Sequence, residues 1–257
     1  WDAAQGVVTV EPLEIVAGTT LITGKGTFTP PKKGSDTWTY ELATDNARMG
    51  PDDVDGPPLD IPVLNVSGTI VPSRSYLTFD RFVARSVQGA MMGSGSFEFG
   101  PQGPTLAAAL SLSPMSAATL MRMWPVIVGY EARNWLVNNV KSGQIETGEM
   151  QFSLLPLDMD GDPSTQSGME KTIDIAITYR DGSLVLPGEL PAMTAAAGPA
   201  KVVDRHVTLN AESAALEPPE GGRVEVKNFY ADIPAVTAKP PIGTIWTRLE
   251  GSAAAVA

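Results

Sequence analysis

Three groups of residues carry side chains that could do chemistry: Asp52, Asp53 and Asp55; Asp158, Asp160 and Asp162 around Gly161; and His206, the single histidine. Neighbouring carboxylates can divide into a general acid and a general base when their environments push their pKa values apart. Asp52, Asp53 and Asp55 stand in a stretch of Asp, Gly and Pro with nothing beside them to raise one carboxyl over another, so they read as a solvated loop. Asp158-x-Asp160-Gly161-Asp162 opens like a calcium loop, but Pro163 and Met169 stand where Gly and Glu are needed, and Glu170 comes one place late. It reads as an acidic surface loop. One histidine excludes a two-histidine metal site and leaves a Ser-His-Asp triad resting on one unsupported residue. His206 reads as a strand or turn side chain.

Two glycine-bearing stretches fail in the same way. Thr19–Gly26 has Thr19 where a phosphate loop needs its first Gly, and Gly26 replaces the magnesium-binding Ser/Thr. Gly93-Ser94-Gly95 lacks the third glycine of a dinucleotide fingerprint, since Glu98 holds that place and no helix follows. With no cysteine there is no thiolate nucleophile, disulfide or sulfur-ligated metal. The expectation is no enzyme, no cofactor and no metal.

The elements around these residues are mostly strands. Alternation marks Val8 to Ile15, with Pro12 inside it, then Thr19 to Thr29, Trp38 to Ala43, Ile61 to Val71, Tyr76 to Arg85, Gly89 to Phe99 and Thr105 to Leu112. Asn46 to Pro58 reads as a loop. Short polar turns predict neighbouring antiparallel strands. Ser113–Leu154 breaks the rule. Leu120, Met123 and Trp124 make one helical stripe, with Ser113 or Ser116 as cap and Pro125 as stop. Ala132, Trp135, Leu136 and Val140 make a second, with Glu131 near its start, Lys141 near its end and Gly143 as the left-handed stop. Trp124 and Trp135 read as core anchors. Strand patterning resumes from Gln144: Met150, Phe152 and Leu154 share one face. In Lys171–Tyr179, Ile173, Ile175, Ile177 and Tyr179 share another, opposite Thr172, Asp174, Ala176 and Thr178. Asp181-Gly182 reads as a turn before Leu184-Val185-Leu186. Ala192–Val203, Val207–Leu216, Arg223–Tyr230 and Ile242–Leu249 complete the set. Gly24-Lys25-Gly26-Thr27-Phe28 is echoed by Gly93-Ser94-Gly95-Ser96-Phe97, which suggests stacked units or a coincidence of two glycine-bearing strands.

Composition bounds the partners. A formal charge of −11 over 257 residues lacks the basic footprint of a nucleic-acid binder and argues against docking on anionic lipid. No apolar run approaches a membrane span and no signal peptide opens the chain. With Trp1 in place of Met, the expectation is a processed or excised piece, with any anchor outside it. Two short helices are too few to cover a dozen strands, so the sheet either doubles over as a sandwich or curls into a groove whose apolar face takes a ligand.

The helical segment carries a resemblance. Trp124-Pro125, Ala132-Arg133-x-Trp135-Leu136, Asn138-Asn139-Val140 and Gly143-x-Ile145-x-x-Gly148-x-Met150-x-Phe152 resemble a pattern of the bacterial AsmA-like family, of the YhdP and TamB type of bridge-like lipid transfer proteins. Asp60–Gly68 is similar to the strands upstream of that pattern, and Pro187–Met193 to a turn downstream. The resemblance implies an elongated, curved antiparallel β-sheet forming a hydrophobic groove, with a short two-helix insert. It divides the chain into a first groove unit at 1–113 and a second at 114–257, which opens with the helical clip 114–143. It further implies a periplasmic segment, tethered to the inner membrane by an anchor outside this chain, that carries glycerophospholipids between the inner and outer membranes. Phospholipid acyl chains and neighbouring groove units would be its partners. Met150, Phe152, Leu154, Ile173, Ile175, Ile177 and Tyr179 would line the lipid path. The alternative is a scaffold for outer-membrane protein assembly that binds through exposed strand edges. A carbohydrate-binding sandwich, which needs a platform of exposed aromatics, fits least.

Overall fold

Alternating segments separated by short polar turns have their nearest neighbours as pairing partners. The computed structural model of the protein describes residues 6–124, 130–156, 172–185, 191–218, 222–235, 238 and 242–251. The first half forms β1 (Val8–Ala17), β2 (Thr20–Thr29), β3 (Trp38–Met49), β4 (Leu59–Asp60), β5 (Val63–Val71), β6 (Tyr76–Ser86), β7 (Gly89–Gly100), β8 (Gly103–Leu112) and β9 (Met115–Ser116). Helices α1 (Ala117–Met123) and α2 (Tyr130–Asn139) follow. Then come β10 (Val140–Leu154), β11 (Thr172–Leu184), β12 (Met193–Val203), β13 (His206–Leu216), β14 (Val224–Ile233) and β15 (Thr244–Glu250).

These strands make one 15-stranded sheet in the order β1-β2-β3-β5-β6-β7-β8-β10-β11-β12-β13-β14-β15, with β4 attached to β3 and β9 to β10. The fold is mainly β: a long, open, curved antiparallel sheet with a two-helix insert. It is an open sheet and not a closed barrel, because among the described residues β1 and β15 end the order without pairing to each other. β8 pairs with β10 from Leu106–Leu154 to Leu112–Gly148, so strands on both sides of residue 113 share the sheet. Curvature has a local cause. Register slips occur in eight of the pairings between successive long strands, from β1–β2 to β14–β15, and each extra residue bends its strand and adds twist.

Several boundaries differ from the sequence reading. β3 continues through Asn46 to Met49, so the loop begins only at Gly50. Asp181-Gly182 is a bulge inside β11 rather than a turn: Asp181 has φ +53° and the register slips between Tyr179 and Gly182. Left-handed backbone serves a turn and a bulge equally, so the dipeptide alone does not separate them. α1 is capped as expected, the Ser116 hydroxyl accepting from the Thr119 N–H at 3.1 Å. Pro125, the expected stop, lies outside the described residues.

α2 ends differently. It runs straight into β10, so Val140 and Lys141 belong to the strand and Gly143 lies in a bulged stretch of it instead of ending the helix. The terminal carbonyl of Asn139 accepts from the Val185 N–H at 2.8 Å, and Lys141 Nζ donates to Asn138 O at 2.7 Å. Strand pairing thus satisfies the helix end that a glycine cap would otherwise relieve.

One face of the sheet is apolar from end to end. Gly24, Gly26 and Phe28 of β2 and Gly93, Gly95 and Phe97 of β7, the echoed motifs, both lie on it. The register opposes Gly26 to Leu42, Phe28 to Tyr40, Gly95 to Ala108 and Phe97 to Leu106. Under the insert, Ala47, Leu59, Ile61, Ala84, Met91, Met115, Leu120, Met123 and Trp124 belong to the one buried cluster, which continues along the face to β14. α1 is the element that plugs this end of the face.

Candidate functional site

Alternation on β10 and β11 sets the geometry of the site. Antiparallel register puts Met150 opposite Ile175, Phe152 opposite Ile173, Gly148 opposite Ile177 and Ile145 opposite Tyr179. Since each of these residues points to the same face as its partner, the row through Ile175 runs Leu110, Met150, Ile175, Val202, Val207 and Ile233 across six strands. A parallel row runs Leu112, Gly148, Ile177, Ala200, Leu209, Ala231 and Ile245. The opposite face carries charge. Lys201 pairs with Asp174 at 3.5 Å and Arg180 with Glu146 at 3.3 Å, exposed contacts of small energetic weight.

Over the β10–β15 half, the apolar face and the insert enclose a hollow of about 260 Å³. Its walls include Trp124 from α1, Trp135 and Leu136 from α2, and Ile145, Met150, Ile175, Ile177, Tyr179, Val202, Leu209 and Phe229 from the sheet. Four of the seven expected lining residues, Met150, Ile175, Ile177 and Tyr179, reach this hollow. Phe152, Leu154 and Ile173 share their face but do not line the hollow, although all but Ile177 of the seven belong to the same buried cluster. Trp124 is a core residue, as its helical stripe suggests, whereas Trp135 is half-buried and belongs to the hollow's wall.

Among the described residues no charged side chain lines the hollow. The one phenol in its wall is already engaged: Tyr179 Oη donates to Asn210 O at 2.7 Å, across Gly198 on the intervening strand. Burial pushes its pKa well above the ordinary phenol value. Apart from Ser142 and Gln144 near the end of α2, the described wall is apolar and offers dispersion and exclusion of water.

The groups that looked chemical are elsewhere. His206 opens β13, exposed and paired with Asp232. Asp158, Asp160 and Asp162 lie outside the described residues. Among the described residues no cluster of three or more His, Cys, Asp or Glu could hold a metal, and no helix is long and apolar enough to cross a membrane.

Asp53 corrects the solvated-loop reading. Its carboxylate forms an ion pair with Arg133 of α2, a side chain only 1 % exposed. The same guanidinium donates through Nε to Trp124 O at 3.1 Å and through Nη2 to Met121 O at 2.9 Å, closing the C-terminal end of α1. Burial lowers its pKa from the usual value, and an arginine stays charged regardless. Arg122 holds the same loop from α1, donating to Pro57 O at 3.2 Å and to Asp55 O. Gly56 has φ +102°, and a Cβ there would meet the Arg122 guanidinium at 2.7 Å, so the clamp requires glycine. Sequence reading missed these contacts. The available signal was an arginine at each end of the two apolar helical stripes, with an acidic loop as their counterpart.

No family model, curated protein or solved structure matches the chain.

Proposed function

We propose that this chain is a lipid-carrying groove of the AsmA-like type, a periplasmic segment that moves glycerophospholipids with their acyl chains against the apolar face and their headgroups in water. The observation that carries this reading is the hollow: the apolar face of an open sheet runs on across β10 to β15 and, with the insert, walls a space lined almost wholly by apolar side chains. An apolar face in water needs a cover, and a ligand chain supplies one. The hollow of about 260 Å³ has the room of roughly nine water molecules, and so of about as many methylenes. At roughly 0.8 kcal/mol for each buried CH₂, burial of that length contributes on the order of 7 kcal/mol before ordering costs, with no polar contact needed. The groove needs no catalytic group or cofactor.

A photo-crosslinker at Ile175 is expected to capture lipid, and one at Thr178 on the opposite face is not. Ile175→Asp, which puts an unpaired charge in the chain path, is expected to abolish co-purification of lipid seen by native mass spectrometry, while Thr178→Asp leaves it intact. Equal capture at the two positions, or no lipid on the wild-type protein, overturns the groove reading.

The scaffold reading has one specific observation in its favour. β15 pairs with β14 alone among the described residues, and Ile245, Trp246 and Leu249 on it are exposed. Such an edge can accept another strand. A crosslinker at Trp246 that captures protein while Ile175 captures no lipid would favour it.

A further inference from the structure

α2 is held unlike any other element. Of its described side chains Arg133 alone is buried, while Trp135, Leu136 and Val137 are half-buried. Its apolar residues Trp135 and Leu136 lie over the hollow. At its C-terminal end it is continuous with β10, and there the register slips twice, between Val140 and Ser142 and between Ser142 and Gln144. Doubled bulges leave few ladder hydrogen bonds to resist bending. At its other end the fixed point is polar: the Arg133 guanidinium on Asp53 and on the Met121 and Trp124 carbonyls. α1, in contrast, buries five of its seven residues and is part of the core.

We infer that α2 is a lid over the hollow, hinged at Val140–Gly143 and latched by Arg133 on Asp53, and that it lifts to let a ligand chain in or out. This rests on the groove reading and adds its control point. The latch suits that task physically. Among the described side chains of α2 no apolar one is fully buried, so its closed position depends in good part on a few charge-assisted hydrogen bonds. Asp53 is 41 % exposed at its side chain, so water can replace it when the contact opens. Because Asp53 sits on the loop after β3, closing the lid joins the first half of the sheet to the wall of the hollow in the second.

The test is Asp53→Asn in the full chain, with Arg133→Lys as companion, since lysine keeps the charge but lacks the planar fork that reaches two carbonyls and a carboxylate. Uptake and release of a phospholipid bearing a fluorescent acyl chain are followed by stopped flow, and amide hydrogen exchange is read separately on α2 and on 150–154. Asp53→Asn is expected to speed both uptake and release by about tenfold, the factor of one charge-assisted hydrogen bond, and to speed exchange in α2 without changing it in 150–154. Arg133→Lys, which also gives up carbonyl contacts that Asp53→Asn keeps, should speed uptake, release and α2 exchange at least as much. Wild-type binding with rates and α2 exchange unchanged in Asp53→Asn overturns the latch and leaves the groove standing. No binding by the wild type overturns the groove, and unchanged α2 exchange then overturns the latch as well. Faster exchange in 150–154 as well as in α2 would mean general destabilisation and also overturns it.

Discussion

Tyr40 and Tyr179 occupy matching places in the two halves of the sheet. Each stands opposite a glycine, Gly68 or Gly198, and reaches over it to a carbonyl on the next strand, Thr78 O at 2.8 Å or Asn210 O at 2.7 Å. Both carbonyls fall in stretches where the register slips, Ser67 to Ile70 and Ala197 to Ala200, so the phenol satisfies an acceptor that the bulge has released. Only glycine fits at either place, because a Cβ would run into the same carbonyl that accepts from the phenol. Burial, helped by the Asp80 carboxylate, pushes the Tyr40 pKa up to about 12. The unfolded chain has the ordinary value of about 10 and therefore loses its proton first as pH rises. The stability that Tyr40 contributes is whole below about pH 10 and falls as pH climbs through the folded value. Urea titrations at pH 9 and at pH 11.5 should show wild type losing more stability than Tyr40→Phe over that interval. Parallel losses would mean that the phenol is not the group responsible.

Among the elements, α1 and β11 show what alternation and capping convey. Ser116 stands where a cap is needed, three residues before Thr119, and Leu120, Met123 and Trp124 bury as the stripe predicts. Ser116→Ala is expected to cost about 1 kcal/mol in chemical denaturation, the usual weight of such a cap. A cost near zero would mean that the neighbouring Thr119 hydroxyl, itself within 2.8 Å of Ser116 Oγ, takes over the role. Legibility ended where a residue type serves two purposes. Gly143 and Asp181-Gly182 have the chemistry of a stop and a turn, and the chain uses them in bulges, because pairing partners far along the sequence absorb the backbone groups that a local signal would have to cap. Arg133 was invisible for a related reason. A buried charge is betrayed by its partner, and Asp53 stands in another part of the sequence among acidic neighbours that give it no distinction.

At the scale of the whole molecule, an alternating pattern tells which face of each strand is apolar and says nothing about what that face meets. Ile173, Ile175, Ile177 and Tyr179 would read the same in a sandwich. The open sheet follows from strand order, a property of pairing that no single strand encodes. The period puts all seven expected residues on one face, and of these Met150, Ile175, Ile177 and Tyr179 line the hollow. Phe152, Leu154 and Ile173 share the period, yet they lie toward the other end of their strands, beyond it.

Strand order follows chain order so closely that it also sets a sequence in time. Nearly every pairing joins consecutive long strands, so each new strand finds its template already laid down beside it, and closing the short connection costs little entropy. A chain delivered from one end can therefore assemble by addition, strand upon strand, without waiting for its far end. The clamp is the exception. Arg122 and Asp55 are 67 residues apart along the chain, and they can meet only after the strands between them have curled into place. In pulse-labelled hydrogen exchange during refolding, the amides of β5 to β8 should gain protection before those of α2. Protection of α2 as early as β6 and β7 would show that the clip forms first and the sheet gathers around it. In the expected order, α2 is fitted onto a sheet whose first half is already built.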